Sequence, residues 1–156
     1  MKPETRHFLV YRLPAIIWTV VVLAASTDAF SGAQTGRFLE AILGALLQKV
    51  PHGFLVAANL TIRKLAHLTE YGILAWLLYR ARGDTERVWD SHWARFALVG
   101  VLAVAVIDEV HQHFVPSRVG SPVDVAIDVL GAIVALMIVR RLLSKYRPIR
   151  PAVANR

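Results

Sequence analysis

The chain has no cysteine, which excludes disulfides, thiolate metal ligands and cysteine nucleophiles. Any metal would have to be held by imidazole and carboxylate groups. Acidic residues are few: 11 Asp and Glu stand against 18 Lys and Arg, for a formal net charge of +7. That basic excess would suit a nucleic-acid binder if it formed a stripe interleaved with aromatics. It does not; the Lys and Arg residues bracket apolar runs. Internal repeats and low-complexity tracts are also missing.

What is present is apolar bulk. Hydrophobic residues make up 56% of 156 positions, and the mean hydropathy is +0.49. An ordinary soluble domain of this size is less apolar. Basic residues at the ends of apolar runs are the flanks expected of transmembrane helices. The length fits a single domain over residues 1–156. The expected fold is all-α: an integral membrane four-helix bundle with an additional interfacial amphipathic helix.

The first span is placed at about residues 8–29, with Pro14 suited to an opening helical turn. Its basic start and its Ala24-Ala25-Ser26 end also fit a secretory signal peptide. Gly32, with Gly36 just after the stretch, makes Ser31 to Thr35 a predicted turn. Phe38, Leu39, Ile42, Leu43, Leu46, Leu47 and Val50 then fall on one helical face. This segment, about 37–50 and ended by Pro51 and Gly53, is too short and amphipathic to cross. It either lies in the interface or packs on the bundle. Further spans are placed at about 55–79, 96–114 and 123–141, with a hydrophilic loop from Arg80 to Arg95. Pro116 to Pro122 makes a tight connection, and 142–156 is a basic tail. Trp18, Trp76, Trp89, Trp93, Tyr11 and Tyr79 lie near span ends, where interfacial anchors belong.

The N-terminus, the loop and the tail hold most of the basic residues, so the positive-inside rule puts all three in the cytoplasm. The expected location is therefore a bacterial-type inner or plasma membrane, crossed several times with both termini inside. Three polar clusters then fall at one depth near the outer leaflet. The second span contributes Arg63, Lys64, His67, Glu70 and Tyr71; the third Asp108, Glu109, His111 and Gln112; the fourth Asp124 and Asp128. Lys64, His67 and Tyr71 share a helical face, as do Asp108, His111 and Gln112. On the fourth span, Asp124, Asp128, Gly131 and Ala135 form a stripe whose small residues permit close packing. Ionisable groups at membrane depth are expensive and mark a site unless they satisfy one another. The expectation is a polar cup open to the outer surface.

These residues resemble the VanZ-like family of small integral membrane proteins. The family's R-K-x-x-H-x-x-E-Y segment reads here Arg63-Lys64-Leu65-Ala66-His67-Leu68-Thr69-Glu70-Tyr71. Its D-E-x-x-Q-x-x-x-P-x-R segment reads Asp108-Glu109-Val110-His111-Gln112-His113-Phe114-Val115-Pro116-Ser117-Arg118. Its S-x-x-D-x-x-x-[ND]-x-x-G segment spans Ser121 to Gly131. Three ordered motifs over about positions 26–140 make the likeness specific. Many relatives have Asn where this chain has Asp128, which adds a negative charge. The resemblance implies a membrane location and four helices. Its founding member is associated with resistance to teicoplanin, a lipoglycopeptide acting on cell-wall precursors; no established reaction comes with the family.

Three readings of the cup follow. In an enzyme, His67, Glu70, Asp108, Glu109 and His111 supply acid, base and orienting groups. Arg63, Lys64, Tyr71, Gln112, Arg118, Asp124 and Asp128 then hold an amphiphile's head group, with Arg bidentate to phosphate or carboxylate. The substrate would be a phospholipid, a lipid-linked cell-wall precursor or a lipidated antibiotic. The reaction would be hydrolysis or group transfer. In a binding or transport protein the same residues capture the head group without chemistry. In a structural protein they form buried ion pairs that fix helix register. No cofactor is required; a divalent metal is the alternative occupant, with His67, Glu70, Glu109 and His111 as weak ligands and no H-E-x-x-H spacing. The expected partners are the lipid bilayer and an amphiphilic ligand at the outer leaflet, with no nucleic acid. Oligomeric state is not encoded legibly.

Overall fold

A computed structural model describes residues 2–27, 32–46, 51–83, 88–115 and 120–145. Every element among them is helical: α1 (Pro3–His7), a π-helical segment (Phe8–Arg12), α2 (Leu13–Ala25), α3 (Gly32–Leu46), α4 (His52–Arg80), α5 (Ser91–His113) and α6 (Pro122–Lys145). The first three run on as one helix, Pro3–Ala25. Pro14 explains the wide turn. It has no N–H to donate and its ring crowds the carbonyl four residues back, and a π turn opens the helix there.

Helix α4 is the hub. It packs most extensively on α6, then on α5, and also receives α2 and α3. The core between these helices is built from Tyr71, Leu74 and Ala75 of α4, Val101 and Ala105 of α5, and Ala132 of α6. Small residues let backbones approach. A Cβ added at Gly131 would strike the backbone of Leu68, and one at Gly72 would sit 3.3 Å from the Gly131 carbonyl oxygen. The small-residue stripe of α6 thus does face a neighbouring helix.

Outward faces are apolar. Val20 on α2, Val99 on α5 and Ile138 on α6 are all more than half exposed. Among the described residues two helices, Pro3–Ala25 and Pro122–Lys145, are long and apolar enough to cross a membrane. Only 11% and 22% of their apolar windows are buried, whereas a soluble protein's core helix would be mostly covered. Helices α4 and α5 have 29 and 23 residues, about 43 and 34 Å at 1.5 Å per residue, but carry the ionisable clusters.

Several boundaries differ from expectation. Gly32 to Thr35 is the first turn of α3 rather than a loop; glycine is tolerated there, and Gly36 brings the helix beside Asn59 of α4. On α3 Leu39 and Leu43 are half-buried while Phe38 and Ile42 stay exposed. Pro51 caps the start of α4 instead of only ending α3, and Gly53 lies within α4. Helix α5 begins at Ser91, inside the predicted loop. There the Asp90 carboxylate accepts from the backbone N–H of His92 (2.7 Å) and Trp93 (3.2 Å), an N-cap that starts the helix early. The Trp93 bond holds the Asp90 carboxyl below the usual carboxylate range. Helix α6 runs on to Lys145, into the predicted tail. Residues 28–31, 47–50, 84–87, 116–119 and 146–156 lie outside the described residues.

The aromatic residues divide. Tyr79 stacks on Trp89 (5.1 Å between centroids), and its hydroxyl accepts from Asp90 N–H at 2.9 Å. Arg82 lies over Tyr79, and Arg80 lies near both Tyr11 and Trp76. These crowd the end of the bundle opposite the polar clusters. Trp18 is different: its indole N–H donates to the Glu70 carbonyl at 2.9 Å, so it ties α2 to α4 rather than anchoring an end. That bond and the buried Val22 make α2 part of the packed bundle.

Gly131→Val is expected to lower the thermal midpoint sharply, since overpacking a close contact costs about 1–3 kcal/mol. Gly53 has nothing within 4 Å of an added Cβ. Gly53→Ala is therefore expected to be neutral or stabilising by up to ~1 kcal/mol. Thermal unfolding in detergent followed by circular dichroism checks the contrast.

Candidate functional site

Close approach of α4 and α6 sets the site. With Gly131 against Leu68, His67 beside Leu68 meets Asp128 nearly one turn before Gly131: His67 Nδ1 lies 3.0 Å from Asp128 Oδ1. One turn further out, Lys64 Nζ donates to Asp124 Oδ1 at 3.0 Å. The i, i+3 and i, i+4 spacings read from the sequence therefore pair two rungs between the helices. The His67 ring also stacks on Tyr71, nearly parallel at 6.2 Å.

Helix α5 brings the third group. Asp108 is 2% exposed, Glu109 7%, Gln112 1% and, across from them, Asp128 0%. Carboxylates so deeply buried must be hydrogen-bonded, paired or neutralised. Gln112 Nε2 donates to Asp108 Oδ2 (3.0 Å) and, more weakly, to Glu109 Oε1 (3.5 Å). Glu109 Oε2 accepts from Ser121 N–H at 2.6 Å, tying the end of α5 to the start of α6. Gly120 allows this, since a Cβ there would crowd the Glu109 carbonyl. The Tyr71 hydroxyl approaches Asp108, yet neither it nor Asp108 Oδ1 closes a hydrogen bond, and Gln112 Oε1 is also unmatched.

A partly open cavity of about 160 Å³ lies against these groups. Arg63, His67, Glu70, Asp108 and Gln112 form its polar wall; Val22, Ala25, Ile62 and Ala66 form its apolar wall. Three of the sequence-predicted acid/base residues thus share one cavity. Glu109 stands behind Asp108. His111 is exposed, with Nδ1 3.2 Å from Ser26 Oγ, and reaches the cavity only through Ser26, which lines it. Asp124 and Lys64 form a rung beyond the cavity wall. Arg118, expected to hold a head group, lies outside the described residues. Ser26 was legible only as a small residue ending an apolar run; its burial comes from packing that no local pattern reveals.

Metal-ligating capacity is arranged differently from the sequence expectation. Among the described residues, one ligand atom each from His67, Asp108 and Glu109 fall within 4.8 Å of one another. Glu70 and His111 are not in that group. Helical geometry is the reason: Asp108 and Glu109 end α5 beside His67, whereas His111 turns toward α2.

The sequence matches the profile of the VanZ/LLP1 family over residues 8–144. No curated protein and no solved structure is matched. With most of its length covered, the chain belongs to the VanZ/LLP1 family. Membership and the two apolar helices together point to a membrane protein.

The two kinds of polar contact differ in expected cost. The Lys64 side chain is 48% exposed, so Lys64→Met is expected to cost less than about 1 kcal/mol. Gln112→Leu strips donors from two buried carboxylates and is expected to cost about 1–3 kcal/mol or more. Ranking the two by thermal unfolding tests this; an equal loss for both would contradict the assignment of burial.

Proposed function

For this member of the VanZ/LLP1 family, we infer that the chain is a four-span membrane protein whose cavity takes the polar head of an amphiphile. The spans are the Pro3–Ala25 helix, α4, α5 and α6, with the cavity toward the outer leaflet and both termini in the cytoplasm. The observation that carries this reading is the cavity's shape and lining. At about 160 Å³ it has roughly half the ~300 Å³ at which pockets for drug-sized ligands begin. It therefore suits a head group and not a whole lipid. Its apolar wall and the exposed apolar faces of α2 and α5 leave a path for the tail in the surrounding lipid.

Acid/base groups in the wall support chemistry on that head. His67 is oriented by Asp128 through Nδ1, which leaves Nε2 to accept or deliver a proton as long as no ion occupies it. Glu70 and Asp108 stand in the same cavity as partners of opposite role. Hydrolysis or group transfer at the head group is the reaction class these parts serve. A lipoglycopeptide, a cell-wall lipid precursor and a phospholipid all present a head of this kind. Capture without chemistry is the second reading, favoured by the Gln112 bonds that already tie up part of the Asp108 carboxylate.

Because the chain has no cysteine, single cysteines report topology cleanly. His113→Cys, at the exposed end of α5, is expected to react with an impermeant maleimide in intact cells, and Ser91→Cys only after permeabilisation. The reverse pattern would invert the orientation. Native mass spectrometry of gently solubilised protein is expected to show a retained amphiphile that is reduced at least tenfold in Arg63→Ala. Bare wild-type protein from nanodiscs made of native lipid would remove the head-group reading.

A further inference from the structure

Buried negative charge in the site exceeds the positive charge facing it. Among the described residues no Lys or Arg lies within ion-pair distance of Asp108, Glu109 or Asp128, and Lys64 is committed to Asp124. Desolvated carboxylates without a counter-charge cost several kcal/mol each by general estimates. An acidic wall would also repel a phosphate, although Arg63 beside it invites one. Both difficulties have one chemical solution.

We propose that His67, Asp108 and Glu109 bind a divalent transition-metal cation, zinc or manganese, in the wall of the cavity, and that this ion together with Arg63 receives a phosphate-bearing head group. The three side chains already place a ligand atom each within 4.8 Å of one another. At metal–ligand distances of about 2.0–2.2 Å, tetrahedral ligands stand about 3.3–3.6 Å apart, so the set tightens by roughly 1.5 Å at most. Asp108, 2% exposed and lining the cavity, is approached by the Tyr71 hydroxyl, but its Oδ1 closes no hydrogen bond and is the oxygen left to coordinate. His67 is prepared in the manner of metal-bound histidines: its Nδ1 is held by a buried carboxylate, that of Asp128, which fixes the ring and leaves the Nε2 lone pair for the ion. Gln112 holds the other oxygen of Asp108, an outer-shell contact of the same kind. The imidazole nitrogen in the set favours zinc, while the two carboxylate oxygens also admit manganese. Three protein ligands leave a fourth position facing the cavity for a phosphate oxygen.

The ion's two charges offset those of Asp108 and Glu109, which weakens the wall's repulsion of a phosphate and leaves Arg63 to attract it. The nature of the substrate rests on the head-group reading; the ion does not. Arg118, outside the described residues, is the competing source of positive charge. An amine-bearing head attracted to bare carboxylates is the competing ligand.

The test uses the full chain in nanodiscs, stripped with a chelator and titrated separately with zinc and manganese chloride. Elemental analysis is expected to give one equivalent of at least one of the two metals per chain, with a raised thermal midpoint. Asp128→Asn is expected to weaken its binding about 10–100-fold, and Asp108→Asn to abolish it, while Arg118→Ala retains it. Since a buried charge change can unfold the chain, the folded wild type carries a second readout. The metal is expected to shift the His67 ring resonances and leave those of exposed His113 in place. Less than a tenth of an equivalent of either metal, or an unshifted His67, would overturn the site. Metal-loaded protein is expected to retain phosphatidic acid at least tenfold more than stripped protein. Preference of the stripped protein for an amine-headed lipid overturns the phosphate assignment while keeping the head-group reading. A bound ion with no lipid retained in either form refutes the head-group reading and leaves the ion standing.

Discussion

The contact on which the site depends is the backbone approach of α4 and α6 at Leu68 and Gly131. A larger residue at 131 would hold the helices apart. His67 and Asp128 meet only because Leu68 and Gly131, close by on each helix, touch. The Lys64–Asp124 rung repeats the pairing one turn away. Polar specificity here is thus a consequence of missing side-chain volume. In a lipid environment, where apolar surfaces gain little from meeting, close backbone packing and interhelical hydrogen bonds are what hold helices together.

The same geometry sets the energetic character of the site. Helix α5 delivers Asp108, Glu109 and Gln112 to a region that α4 and α6 already close off from solvent. Gln112 and the Ser121 N–H answer part of the carboxylate lone pairs. A hydrogen bond from a neutral donor stabilises a carboxylate without cancelling its charge, and at low dielectric the charge matters most. Such an arrangement favours neutralisation, by a proton or by a cation. Structural ion pairing explains Lys64 and Asp124, whose partners stand close and partly exposed. It leaves Asp108 and Glu109 without a Lys or Arg partner among the described residues, while Asp128 meets the His67 ring.

Much of this was readable in the sequence. Helical periodicity and the spacing of Arg63, Lys64, His67, Glu70 and Tyr71 fixed a polar face on α4, and the Gly131 stripe announced close packing on α6. Local patterns failed where an effect depends on a neighbour. The Asp90 cap started α5 five residues before the expected span, because capping overrides a hydrophilic composition. Ser31 to Thr35 looked like a turn because glycines usually break helices, yet four of its residues begin α3. Spacing put His111 on the face of Asp108 and Gln112, but a helical face is about a third of a turn wide. Its edge residue can be claimed by another partner, here Ser26 of the chain after α2. Glu109, one step around the helix from Asp108, is the residue that turned inward instead.

The two ends of the bundle are chemically opposite, and that opposition limits what the site can serve. One end gathers guanidinium groups over aromatic rings, with Arg82 on Tyr79, Arg80 near Tyr11 and Trp76, and Arg140 near Trp89. Such pairs suit the headgroup region on the side where anionic lipid is abundant. The other end gathers carboxylates under a cavity too small for an entire lipid. A transporter needs a route connecting the two, and the interior between them is filled by Tyr71, Leu74, Val101 and Ala132, all fully buried or nearly so. Among the described residues the cavity at the carboxylate end is therefore floored by packed side chains.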